Sequence, residues 1–141
     1  MRWVVAALLA ASVAPFGVPV ARAADASSCY RIQESDRQNQ CLAQVKQDRS
    51  YCYRIRGADM RAGCLALVTP DRSECYRVQG PDGRSSCLGE TKDDGSYCYR
   101  VGNPDERYGC LATVKQDRSL CYRIADADRR QACLAVVPPK H

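Results

Sequence analysis

The residues of this chain best equipped for chemistry are its ten cysteines, at positions 29, 41, 52, 64, 75, 87, 98, 110, 121 and 133. Their spacing alternates between 12 and 11 residues without a slip. Zinc sites usually draw two thiolates from positions about two to four residues apart, and no such pair occurs. Cys-x-x-Cys is also absent, which removes support for dithiol redox catalysis and for covalent haem attachment. A bundle lined with reduced thiols could hold Cu(I). Thiol-based copper or metal storage is therefore the alternative function, although Met60 and His141 are the only Met and His beyond residue 23.

The main expectation is cross-linking. Two regular schemes follow from the spacing. One pairs Cys29–Cys41, Cys52–Cys64, Cys75–Cys87, Cys98–Cys110 and Cys121–Cys133. The other pairs Cys41–Cys52, Cys64–Cys75, Cys87–Cys98 and Cys110–Cys121, and strands Cys29 and Cys133 as free thiols. The first is favoured because unpaired thiols sit badly in an oxidising compartment.

A Tyr-Arg pair follows the first cysteine of every couple: Tyr30-Arg31, Tyr53-Arg54, Tyr76-Arg77, Tyr99-Arg100 and Tyr122-Arg123. In a regular array these residues form a strip suited to a protein, a carbohydrate or an anionic envelope polymer, since Tyr and Arg are common interface anchors. The structural account is the favoured one: each Tyr covers a joint between units, and each Arg pairs with a capping aspartate of a neighbour. Catalysis has little support. Asp93-Asp94 occurs once, and no histidine stands near the Asp-x-Ser elements to activate a hydroxyl. No cofactor-binding signature is present, and the expectation is that the protein is not an enzyme.

The N-terminus has the make-up of a secretory signal, with Arg2, an apolar run from Val4 to Ala14 and the small residues of Ala21-Arg22-Ala23 before a cleavage point. The run is too short to span a bilayer, which takes about 20 apolar residues. The expected domains are a signal over 1–23 and a single soluble repeat domain over 24–141, located in the periplasm or secreted. Residues 24–141 hold 10 cysteines but only 17 Leu, Ile and Val in 118 positions. Such a core is too thin to overcome chain entropy without staples. Trp3 and Phe16 leave with the signal, as do Arg2 and Arg22, so 19 basic and 16 acidic residues remain, a net charge of +3. That balance does not call for an anionic partner, and nucleic acid is not expected. Oligomeric state is not legible.

The elements that must position the cysteines repeat with a period of 23, in units 29–51, 52–74, 75–97, 98–120 and 121–141. Asp25, Asp48, Asp71, Asp94 and Asp117 each precede a cysteine by four residues, with Ser two residues on. They suit the N-cap of a first short helix running through Cys-Tyr-Arg-Ile/Val. Asp36, Asp59, Asp82, Asp105 and Asp128 are expected to cap a second helix that buries Cys, the following Leu and the residue four past the cysteine. Helices of about eight residues cannot bury a face alone, so units must stack on one another. A β-solenoid with one cysteine per turn is the rival, but strict apolar alternation is missing. The fold expected is all-α, a short α-solenoid of five disulfide-stapled hairpins. The third unit, with Gly80, Pro81, Gly83, Gly89, Thr91 and Gly95, is the weakest helix former and a candidate soft joint. In architecture alone the pattern resembles secreted cysteine-rich α/α repeat families. It lacks the longer repeat and Gly/Ala signature of the Sel1-like type, and carries one cysteine per helix where twin-cysteine hairpins carry two. The function expected is a non-enzymatic exported scaffold that binds a protein or envelope component.

Overall fold

In a computed structural model of the chain, residues 25–140 are described. The signal assigned to 1–23, and His141, lie outside them. The described residues contain helices and no strands. Five short elements alternate with five long ones. The short ones are α1 (Ala26–Cys29), η1 (Cys52–Arg54), η2 (Arg72–Arg77), α5 (Gly95–Cys98) and η3 (Arg118–Arg123), of which the three η elements are 3₁₀ turns. The long ones are α2 (Ser35–Lys46), α3 (Ala58–Val68), α4 (Pro81–Lys92), α6 (Pro104–Lys115) and α7 (Ala127–Val136). All ten cysteines are paired, as Cys29–Cys41, Cys52–Cys64, Cys75–Cys87, Cys98–Cys110 and Cys121–Cys133, each spanning 12 residues.

The first helix is shorter than the sequence suggests. Asp25, Asp71, Asp94 and Asp117 cap their elements by accepting the N–H of the Ser two residues on, at 2.9–3.1 Å. Asp48 makes the same bond to Ser50 just ahead of η1. After one turn the aliphatic residue leaves the helix for extended backbone, with ψ of 126° at Ile55 and 124° at Ile124. That change of direction drops Ile32, Ile55, Val78, Val101 and Ile124 into the interior, where each is at most 3% exposed. Burial of the branched side chain outweighs continuation of a marginal helix.

The second set of aspartates does something other than capping its own helix. The long helices start on Glu34, Gly57, Gly80, Asn103 and Asp126 instead. Asp36, Asp59, Asp82, Asp105 and Asp128 sit two residues later, in the first turn, and reach out of their own unit. Asp36 accepts the N–H groups of Arg56 and Gly57 at 3.1 and 2.9 Å, and Asp59 those of Gln79 and Gly80 at 3.0 and 2.9 Å. Asp82 holds Gly102 and Asn103, and Asp105 holds Ala125 and Asp126. Each carboxylate thus satisfies two backbone donors at the start of the next long helix, groups that a helix cannot satisfy internally.

Asp128 shows what happens at the last unit. It accepts the N–H groups of Gln33 and Glu34, at 3.2 and 3.0 Å, in the first unit. Two further contacts repeat this closure. The N–H of Asp117 donates to the Ala112 carbonyl, and that of Asp48 to Ala43; the N–H of Asp25 donates likewise to Ala135 at 3.2 Å. Ala43, Ala66 and Ala112 each pack on cysteines of the following unit, and Ala135 packs on Cys29 and Cys41. The long helices touch in the order α2, α3, α4, α6, α7 and back to α2. Contacts between units therefore run in a closed circuit, and the first and last units serve as neighbours of each other.

The glycine-rich third unit does not shorten its helix: α4 has 12 residues, as do α2 and α6. Pro81 stands at the first helical position, where a missing N–H costs nothing. Gly89 has a steric reason as well. A Cβ there would lie 3.0 Å from Cys110 Sγ and 3.1 Å from Cys98 Sγ. The same joint elsewhere takes Ala and no more. Ala112→Leu, at a site of 0% exposure against Cys121 and Cys133, is expected to cost about 1–3 kcal/mol by overpacking. The check is the melting temperature of the oxidised protein beside that of Ala112→Ser.

Candidate functional site

Two regions can meet a partner. The first is the row of Tyr-Arg pairs. Tyr30, Tyr53, Tyr76, Tyr99 and Tyr122 are the exposed large hydrophobics among the described residues, each 59–65% accessible. They follow directly on a buried cysteine, which anchors the backbone and turns the next side chain outward. Arg31, Arg54, Arg77, Arg100 and Arg123 are exposed beside them.

These arginines do not pair with a neighbour's capping aspartate: among the described residues no ion pair within 4.0 Å joins them. Arg54 instead lies over the Tyr51 ring at 4.8 Å, Arg100 over Tyr97 at 5.1 Å and Arg123 over Tyr108 at 5.8 Å. Arg77 stands 3.6 Å from Glu74. Lysines add to the positive character. Lys46 Nζ donates to the hydroxyls of Tyr30 and Tyr51 at 3.1 and 3.0 Å, and Lys115 Nζ to Tyr99 at 2.9 Å. The bonds it donates to Tyr51 and Tyr30 hold the Lys46 ammonium above its ordinary pKa, so it stays charged. The surface is aromatic and cationic together.

Comparison with known protein families, curated proteins and solved structures finds no match to this chain.

The second region was not legible from motifs. A cavity of about 580 Å³ lies among the five long helices and draws side chains from each of them. Three tiers line it, spaced as one helix face requires at i, i+3 and i+7. The first tier is Arg37, Met60, Gly83, Glu106 and Arg129, and the second is Gln40, Gly63, Ser86, Gly109 and Ala132. Gln44, Leu67, Glu90, Thr113 and Val136 form the third.

Burial acts on the charged members. Arg37 is held below the usual guanidinium pKa, first by loss of hydration and then by the Arg129 charge. Desolvation also raises Glu106, against the pull of Arg129 at 3.8 Å. Glu90 is pushed up to about 7 by burial, with Ser86 Oγ 3.1 Å from its carboxyl. Its side chain is half-buried and lines the void.

A signal for these tiers does exist in the sequence. Positions that build the joints keep one residue class in every unit, Asp at the clamps, Ala or Gly against the next disulfide and Ile or Val below it, whereas the first tier reads Arg, Met, Gly, Glu, Arg. A repeat position that is free to vary is one the shared architecture does not need. A second missed pattern is the residue two past each clamp aspartate. Arg61, Arg84, Arg107 and Arg130 donate from Nε to the carbonyls of Ile55, Val78, Val101 and Ile124 at 2.8–2.9 Å, and Gln38 does the same for Ile32 at 3.1 Å. Arginines at that spacing are turn fasteners and are unavailable to a ligand.

The ten cysteines are consumed in disulfides. Thiolate ligands for copper would exist only after reduction, and among the described residues no cluster of three His, Cys, Asp or Glu side chains is placed to hold a metal ion. No described helix is long and apolar enough to cross a membrane. Five disulfides fit an oxidising compartment.

Proposed function

We propose that this protein is a non-enzymatic exported scaffold, a short α-solenoid with its ends joined. It binds a protein or an anionic or carbohydrate component of the cell envelope through the Tyr-Arg row. The observation that carries this reading is the exposure of five tyrosines, all 59–65% accessible, at equivalent positions beside exposed arginines. Large aromatics kept in water at every repeat serve no burial, and aromatic-arginine surfaces are where binding energy concentrates. Periplasm or secretion is the compartment this reading needs. Metal storage by thiols is the weaker reading, since it requires opening all the cross-links of a thin-cored protein.

Arg54, Arg77 and Arg100 changed together to Gln test the row. Their charges pair with no capping aspartate, Arg77 alone stands near a carboxylate, Glu74 at 3.6 Å, and such surface pairs contribute only about 0–1 kcal/mol each. The expected result is a melting temperature within about 2 °C of wild type. Retention on immobilised heparin, as the anionic polysaccharide probe, should fall steeply and vanish with rising salt. A folded variant that elutes with wild type would remove the row from the anion-binding role.

A further inference from the structure

We propose that the central cavity is a binding site for a small amphiphilic carboxylate, its head held by Arg37 and Arg129 and its apolar body lying along Met60, Leu67 and Val136. Nothing in the Tyr-Arg reading requires this site. It stands on three observations.

The first is unspent hydrogen-bonding capacity. The Arg37 and Arg129 side chains are only 19% and 30% exposed. Among the described residues neither guanidinium donates a hydrogen bond. Arg37 stands 3.8 Å from Glu34 and Arg129 3.8 Å from Glu106, both beyond hydrogen-bonding reach. The fastener arginines, such as Arg107, spend theirs on carbonyls at 2.8 Å. Two half-buried guanidiniums facing one cavity from the adjoining helices α2 and α7 repel each other, and Arg37 titrates low partly for that reason. A carboxylate between them would receive charge-assisted bonds from planar forks suited to it.

The second is volume left open at a cost. Gly63 lies inside α3, where glycine is about 1 kcal/mol worse than alanine. A Cβ there would meet nothing within 4 Å. At Gly109 the first atom met is Ile124 Cδ1 at 4.0 Å. No packing demand accounts for either, and together with Ala132 they keep the middle tier of the cavity clear. At about 580 Å³ the space falls within the range of small-molecule sites.

The third is the placement of aliphatic side chains away from the arginines. The arginines stand in the first tier, and Leu67 and Val136 in the third, seven residues along their helices and thus roughly 10 Å away. An acyl chain of about eight carbons covers that distance. Glu90, also in the third tier, carries no full charge at acidic pH and so does not oppose an anion there. The groups acting on it are Ser86 on its own helix and Glu106 on α6. Neither α5 nor η2 contributes a residue to the cavity. Below about pH 7 Glu90 is neutral, and above it the cavity gains a negative charge, so carboxylate affinity is expected to fall as pH rises through that value.

The test is isothermal titration calorimetry of oxidised protein with octanoate, octylamine and inorganic phosphate at pH 5.5 and 8.5. Octanoate is expected to bind one site per chain, severalfold tighter at pH 5.5, with octylamine and phosphate at least tenfold weaker. Arg37→Gln with Arg129→Gln should weaken octanoate at least tenfold. Gly63→Leu, which fills open space and favours the helix, should do the same while leaving the circular dichroism spectrum unchanged. Glu90→Gln should level the two pH values. Octylamine or phosphate binding as tightly as octanoate would overturn the proposal. So would octanoate giving no heat, or a folded Gly63→Leu protein that binds octanoate like wild type. Arg54→Gln with Arg77→Gln and Arg100→Gln should keep the octanoate site intact, which separates its fate from that of the outer row.

Discussion

Reducing the oxidised protein with an excess of a phosphine reductant is expected to abolish most of its far-ultraviolet helical signal at 25 °C. The interior consists of five small clusters, each built on a disulfide and a handful of aliphatic atoms. The fully buried side chains are mostly the cysteines themselves, with Ile55, Val101, Ile124 and Val137. Short elements of three to six residues have no independent stability in water. Each cross-link closes a loop spanning 12 residues, a constraint on the unfolded chain of about 3 kcal/mol in the entropy model. Even without simple additivity, five such constraints are comparable to the whole usual net stability of a domain, about 5–15 kcal/mol. Helix content and melting temperature unchanged in fully reduced protein would show that the disulfides decorate a fold held by something else.

The second large effect concerns acid and the aspartate clamps. Asp36, Asp59, Asp82 and Asp105 are all held below the ordinary carboxylate pKa, first by the two backbone N–H groups each one binds. The capping aspartates 25, 48, 71, 94 and 117 are lowered as well, through their serines. A carboxylate whose folded pKa is depressed contributes stability that is complete above its unfolded value. That contribution is lost as pH falls through the folded value. Nine groups share this sign, so the melting temperature should drop steeply below about pH 4. Glu90 and Glu106 have the opposite sign. Raised in the folded state, they favour folding at low pH, and that benefit fades as pH rises toward 7 for Glu90. The stability optimum is therefore expected between about pH 4.5 and 6.5. Asp59→Asn, Asp82→Asn and Asp105→Asn together put an amide donor against one of each pair of N–H donors. The triple variant should melt on the order of 10 °C lower at pH 6 and show a much flatter acid limb. A variant with the wild-type acid limb would place the acid response elsewhere.

How much of this was readable beforehand follows from what a repeat makes visible. Cysteine spacing, the Asp-x-Ser caps and the buried aliphatic at Ile55 or Val101 are local and recur in every unit, so composition and register reveal them. Asp82 misleads because an aspartate near a helix start looks the same whether its carboxylate turns back to its own helix or forward to the next. Only the distance to Gly102 and Asn103, 20 and 21 residues on, decides between the two. The meeting of Asp128 with Gln33 is harder still, because no local pattern records the angle between successive units. For the outer row, type and place were both legible at Tyr53 or Tyr99, while the stacking of Arg54 on Tyr51 depends on a turn whose shape the pattern does not specify. The cavity is the opposite case. Its residues are those in which the units disagree, and a search for motifs passes over disagreement.

The joining of the last unit to the first constrains how such a gene can change. A linear array can gain or lose a copy by duplication or deletion and keep its remaining interfaces. Here α7 also touches α2 and Asp128 holds Gln33 and Glu34, so a sixth copy or a fourth would have to re-form that closing contact. Unit number is in effect quantised, and drift is confined to substitutions within a copy. The same topology makes the location of the termini arbitrary. With Asp25 bonded to Ala135, a chain recut between Arg56 and Gly57 or any equivalent pair and linked through its old ends would meet the same set of neighbours.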